Sequence, residues 1–92
     1  MDDTMMMLDG NALAGMLSEV FAADMTAARS ACAWCGVVAT LAEQRLYMNP
    51  GSPGAVLRCH ACDGRMLVLV RRGDRLRVGM PGVRWMDVES TG

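Results

Sequence analysis

Apolar residues in the first third of the chain recur at three- and four-residue steps, the spacing of one face of an α-helix. The members of this stripe are Leu13, Met16, Leu17, Val20 and Phe21. Asp9 or Asn11 can cap the exposed amides of the first turn, and Asp9 also lies at the favourable end of the helix dipole. We therefore predict an amphipathic helix over residues 9–25.

From Ala31 onward the pattern changes to short apolar or alternating runs, separated by turns rich in glycine and proline. The predicted strands cover residues 37–41, 43–48, 55–58, 65–70, 75–80 and 83–88. The run from Arg75 to Met80 alternates cleanly, with leucine, valine and methionine on one face and arginine on the other.

The cysteines interrupt this β-rich region as two pairs, Cys32-Ala-Trp-Cys35 and Cys59-His-Ala-Cys62, with 23 residues between the pairs. A two-residue spacer lets both sulfurs of a pair reach one tetrahedral metal ion, and two pairs complete a shell of four thiolates. This is zinc-ribbon spacing. It predicts one structural Zn²⁺ bound by all four cysteines, with no open position for a substrate.

The expected fold class is α+β, with the N-terminal helix packed on a small antiparallel β zinc ribbon. We expect a single domain over residues 1–92, divided into a helical segment (1–30) and a ribbon (31–92). A chain of 92 residues has a marginal core, and a metal ion would add binding free energy to folding. The helix is predicted to dock through Leu13, Leu17, Val20 and Phe21 onto Leu67, Leu69, Leu76 and Val78.

Other uses of the cysteines remain open. Rubredoxin-type iron sites also use two such pairs, so an electron carrier is the alternative if the metal is iron. Two disulfides are a further alternative, but the N-terminus carries no basic and apolar export signal. A cytoplasmic location is therefore expected, where reduced thiols bind metal. His60 could replace a thiolate, although an exposed position with local hydrogen bonds is the simpler expectation.

Charge is distributed unevenly along the chain. Residues 1–28 hold five acids and no base, whereas residues 29–92 hold nine arginines and five acids. The chain contains no lysine and one histidine, which excludes Schiff-base chemistry, a P-loop lysine and a histidine pair. No catalytic residue stands out, so we predict that the protein is not an enzyme.

Two tryptophans and a run of arginines are the candidate contact residues: Trp34, Trp85, Arg71, Arg72, Arg75 and Arg77. Arginine and tryptophan are enriched at protein interfaces, so the predicted partner is another protein. A ribbon that binds nucleic acid through its arginine-rich strands is the alternative. No membrane association is predicted.

The segments Leu8-Asp-Gly-Asn-Ala-Leu-Ala-Gly15 and Glu19-Val-Phe-Ala22, the two cysteine pairs and the stretch from Leu41 to Tyr47 together resemble a family of short actinobacterial zinc-ribbon proteins of unknown function. The resemblance covers most of residues 8–80. It implies zinc ligation by the four cysteines and supplies no activity.

Overall fold

A computed structural model describes residues 6–9, 25–48 and 53–88 of the chain. These residues form eight β-strands and two short 3-10 helices, the first at Met25–Ala27 and the second at Leu41–Glu43. The strands are β1 (Met6–Asp9), β2 (Arg29–Cys32), β3 (Val38–Thr40), β4 (Arg45–Met48), β5 (Gly54–Arg58), β6 (Arg65–Arg72), β7 (Arg75–Gly79) and β8 (Val83–Asp87).

The strands form two sheets in which every pair is antiparallel. Five strands make the larger sheet, in the order β1-β4-β5-β6-β7. The smaller sheet has the order β3-β2-β8. Each of the six predicted strands is confirmed with shifted ends, whereas β1 and β2 were not predicted.

The predicted α+β class is wrong, because the described chain is almost entirely antiparallel β-sheet. Most of the predicted helix over residues 9–25 lies outside the described residues. Its two ends are not α-helical: Asp9 closes β1 and Met25 begins the first 3-10 helix. Residues 6–9 form backbone hydrogen bonds with β4 instead. A local pattern of helix-capping residues does not reveal such a long-range pairing.

The main core lies on one face of the five-stranded sheet. Its buried members are Met25, Leu41, Leu46, Ala55, Leu57, Leu67 and Leu69, with Leu76, Val78, Val83 and Met86 packed around them. Leu67 and Leu69 were expected to receive the helix. Their described neighbours come instead from the two 3-10 helices and from β8, so the smaller sheet helps to cover the larger one. The predicted docking residues Leu13, Leu17, Val20 and Phe21 lie outside the described residues.

Two β-bulges lie where the sheets meet. In β6, Leu67 pairs with Leu57 but Arg65 pairs with Arg58, so Met66 is the extra residue. The bulge turns both Met66 and Leu67 inward, and neither is more than 1% exposed. In β8, Trp85 pairs with Ala31 while Val83 pairs with Cys32, which leaves Arg84 as the extra residue.

Candidate metal centre

The first cysteine pair occupies a tight turn, here called knuckle 1 (residues 32–37), that continues directly from β2. The Cys32 N–H donates to the Val37 carbonyl at 2.9 Å, and the Gly36 N–H donates to the Cys32 carbonyl at 2.9 Å. Gly36 has a φ of +83°, a conformation that glycine adopts without a steric penalty. These bonds hold Cys32 and Cys35 on the inside of the turn.

Knuckle 2 (residues 59–64) follows β5 and repeats the same hydrogen bonds. The Cys59 N–H donates to the Gly64 carbonyl at 2.9 Å, and the Asp63 N–H donates to the Cys59 carbonyl at 2.8 Å. The residue equivalent to Gly36 is therefore Asp63, with a φ of +63°. Aspartate is one of the few side chains that tolerates this region.

The two knuckles face each other and bring the four predicted ligands together. The Sγ atoms of Cys32, Cys35, Cys59 and Cys62 all lie within 4.8 Å of one another. Between the knuckles, Cys32 Sγ lies 3.7 Å from Cys62 Sγ and Cys35 Sγ lies 3.7 Å from Cys59 Sγ. Sulfurs placed about 2.3 Å from a central ion form a tetrahedron with edges of about 3.8 Å. The four thiols can therefore hold one metal ion.

Backbone N–H groups point at three of these sulfurs. Trp34 N donates to Cys32 Sγ, Ala61 N to Cys59 Sγ and Gly64 N to Cys62 Sγ, each at 3.4 Å. Such bonds stabilise the negative charge of a thiolate ligand and fix its direction, as second-shell groups do in metal sites.

The metal-free thiols resist simultaneous ionisation. Burial raises the pKa of Cys32, but backbone N–H groups and neighbouring thiols outweigh this and lower the pKa to about 7. For Cys62 the Gly64 N–H lowers the pKa, whereas burial and the other three cysteines raise it to about 12. Burial is also the main cause of the raised pKa of Cys59. A bound metal cation would remove this conflict, because coordination deprotonates a thiol.

The site joins the two sheets. Cys32 is the last residue of β2 in the smaller sheet, and Cys59 directly follows β5 in the larger one. Both are completely buried on a second apolar cluster with Met66, against which Val37 and Val83 pack. Cys35 and Cys62 lie on the exposed side. A metal held here would staple the sheets at one end of their interface.

His60 does not belong to the sulfur cluster. Its backbone N–H donates to Gln44 Oε1, and its Nδ1 lies 2.9 Å from the same oxygen. Gln44 is 1% exposed and donates through Nε2 to the Thr40 carbonyl at 3.2 Å. The sequence did not single out Gln44, which ties knuckle 2 to the second 3-10 helix.

Comparison with known proteins identifies the family of this chain. The model of a family of unknown function (DUF6510) matches residues 2–91. The chain belongs to this family. No curated protein and no solved structure matches the chain. No helix within the described residues is long and apolar enough to cross a membrane.

Trp34, the first predicted contact residue of this DUF6510 protein, is 60% exposed yet held in place. Its indole Nε1 donates to the Arg65 carbonyl at 2.8 Å. A Cβ atom at Gly64 or at Gly82 would clash with the indole ring, so both glycines leave room for it. We call these contacts the Trp34 seat. The glycine requirement at Gly64, which has no unusual φ, comes from this tryptophan.

The other predicted contact residues are divided between different surfaces. Trp85 is 42% exposed on β8, at the edge of the smaller sheet. Arg71 pairs with Leu76, which packs on the core, so it lies on the core side of the larger sheet. Arg72, Arg75 and Arg77 share the opposite face.

Proposed function

We propose that this protein is a non-catalytic binding module in which one structural Zn²⁺, held by Cys32, Cys35, Cys59 and Cys62, fixes two β-sheets, and that its partner is another protein. Four thiolates fill a tetrahedral zinc shell and leave no position for a water or substrate. The only histidine ring is bonded to a buried glutamine and stands outside the ligand set.

Zinc is preferred to iron because of the surroundings of the sulfurs. The described residues that pack on the buried sulfurs are Met66, Val37 and Val83, all aliphatic. Rubredoxin-type iron sites lie in aromatic-rich folds, whereas this chain contains one Tyr, one Phe and two Trp. Elemental analysis of reductively purified protein should give about one zinc per chain. A red protein with stoichiometric iron would instead support the electron-carrier function.

The observation that carries the protein-partner proposal is the Trp34 seat. Exposed tryptophan costs solubility, and here the ring is held in a fixed orientation by a hydrogen bond and two glycines. A rigid aromatic loses little conformational entropy on binding, which is why tryptophan dominates the energetics of many interfaces. Trp85 provides a second exposed aromatic side chain three residues beyond Gly82.

The test is affinity capture by zinc-loaded, tagged protein from a nuclease-treated native extract. Trp34→Ala should lower the affinity for a specifically captured protein by roughly 30-fold or more, the effect expected of an interface hot spot. Val38→Ala is the matched control, because Val38 is a 39% exposed apolar residue on β3, the edge of the smaller sheet opposite β8 and Trp85. Each variant must retain its zinc and its circular dichroism spectrum. Capture that is indifferent to Trp34→Ala, or equally sensitive to Val38→Ala, would refute the proposed contact.

A further inference from the structure

The face of the larger sheet opposite the main core, here called the outer face, carries an unusual set of side chains. Cross-strand pairing and the two-residue alternation of strands place its members together: Arg45, Tyr47, Val56, Arg58, Arg65, Val68, Val70, Arg72, Arg75 and Arg77. It thus holds six of the nine arginines of the chain. The sequence pattern overlooked Arg45, which only the β4–β5 register brings to this face.

Five of these six arginines lie directly opposite another arginine on a neighbouring strand. Arg58 is the direct cross-strand partner of both Arg45 and Arg65, which makes a row of three over β4, β5 and β6. Arg72 faces Arg75 across the β6–β7 hairpin. Like charges directly opposite one another destabilise a sheet. The sheet places arginine opposite arginine three times, and an anionic ligand on this face would offset that repulsion.

Three described aspartates lie close to these arginines. Asp9 of β1 is the direct cross-strand partner of Arg45, at one end of the row of three. Asp63 borders a depression shared with Tyr47, Val56, Arg58 and Arg65. Arg58 donates to the Asp63 backbone carbonyl at 2.9 Å. Asp74 lies in the turn of the β6–β7 hairpin. The metal with its four thiolates would add a formal charge of -2 (+2 and -4) near the row of three, but none near Arg72, Arg75 and Arg77.

The spacing of the two arginine groups suits an extended polyanion. They lie at opposite ends of β6, since Arg65 begins the strand and Arg72 ends it. At about 3.3 Å per residue the groups are ~20 Å apart. Half-buried Tyr47, Val56, Val68 and Val70 occupy the strip between them. A second depression lies at the β6–β7 hairpin, lined by Arg72, Arg75 and Arg77 of the outer face and by Leu76 of the core side.

We propose that the outer face binds single-stranded nucleic acid, with phosphates on the two arginine groups and a base against Tyr47. A single strand presents unstacked bases to an aromatic ring on a sheet, whereas a duplex hides them. An acidic protein segment would match the charges but would leave Tyr47 and the apolar strip without a specific role. This site is separate from the Trp34 seat and does not depend on the proposed protein partner.

The test is fluorescence anisotropy of a labelled mixed-sequence oligonucleotide, single-stranded or duplex, titrated with zinc-loaded full-length protein. If about five phosphates are neutralised, single-strand affinity should fall roughly 100-fold between about 50 and about 200 mM salt. The double variant Arg75→Glu/Arg77→Glu should abolish binding. Tyr47→Ala should weaken it by roughly fivefold or more, as expected for one stacked base.

A matched control separates a specific face from net charge alone. Arg29→Glu/Arg84→Glu makes the same change in net charge on exposed positions of the smaller sheet, and should leave affinity within about twofold of the original protein. Equal losses in both double variants would overturn the proposal. So would binding of polyglutamate with the same affinity and no dependence on Tyr47, which would assign the face to an acidic protein. Preference for the duplex over the single strand would also contradict it.

Discussion

One added methyl group at Gly64 tests whether Trp34 is held as its contacts indicate. A Cβ atom at Gly64 would overlap the Trp34 indole, while the backbone there lies outside the left-handed region. Alanine can therefore adopt the backbone conformation of residue 64 without strain. Any loss of stability in Gly64→Ala must come from displacement of the indole ring.

The expected loss follows from what the ring contacts. Trp34 is 60% exposed, which leaves 40% of it covered. Because a tryptophan can bury about 250 Å², its covered part corresponds to ~100 Å², or ~2.5 kcal/mol at about 25 cal/mol per Å². The exposed hydrogen bond from Nε1 adds roughly 0.5–1 kcal/mol. Gly64→Ala should therefore lower the free energy of unfolding by ~1 kcal/mol if the ring pivots and by ~3.5 kcal/mol if it loses every contact.

A double-mutant cycle isolates this effect. In a Trp34→Ala background the clash is absent, and Gly64→Ala should be neutral or stabilise the protein by about 0.4–1 kcal/mol through the unfolded state. Urea unfolding followed by far-ultraviolet circular dichroism, at a fixed concentration of free zinc, measures all four proteins. Gly82→Ala is the contrast, because its Cβ would also clash with the Arg65 carbonyl and must stay costly in both backgrounds. The same cost for Gly64→Ala with and without Trp34 would refute the reasoning.

Three further changes have expected outcomes. Chelation of the metal should remove ~10 kcal/mol of metal-binding free energy and unfold the junction of the sheets, measured as lost zinc together with lost circular dichroism. Cys62→Ser leaves three thiolates and should have a smaller effect in the same direction. Ser30→Ala should raise the free energy of unfolding by about 1 kcal/mol, because the Ser30 hydroxyl is fully buried and has no hydrogen-bond partner among residues 6–9, 25–48 and 53–88; an unchanged or lower urea midpoint would contradict this. Arg75→Glu should stabilise the hairpin by roughly 0.5–1 kcal/mol, since it turns the like-charge pair with Arg72 into an ion pair. That gain should shrink as salt is added.

The strands could be predicted where local pattern and sheet environment agree. Residues 65–70 and 75–80 combine β-branched residues, alternation and a tight turn, and they became β6 and β7. β2 was not predicted because Arg29–Cys32 is short and has no alternating apolar pattern. Its partner β8 also lies far along the chain, since the paired Arg29 and Asp87 are 58 positions apart in the sequence. Pairing across that distance leaves no mark in a local window.

The clustering of the four cysteines could be predicted because the constraint is short-range: a two-residue spacer lets both sulfurs of a pair reach one position. The surroundings of the cysteine cluster could not be predicted from the sequence. The left-handed conformation of Asp63, the role of Gly64 and the bulge at Met66 depend on how two distant segments meet. The outer face likewise depends on register, since a shift of one residue would move Arg45 and Arg58 to the core side.

The candidate metal centre also connects the two proposed binding surfaces. Trp34 lies within knuckle 1, while Arg65 directly follows knuckle 2 and accepts the indole hydrogen bond through its backbone carbonyl. Its side chain belongs to the outer face. Removing the metal should therefore abolish protein capture and nucleic-acid binding together. Trp34→Ala should affect only the first and Arg75→Glu/Arg77→Glu only the second. If either binding activity survives in metal-free protein, the surface responsible for it keeps its structure without a metal cross-link between the sheets.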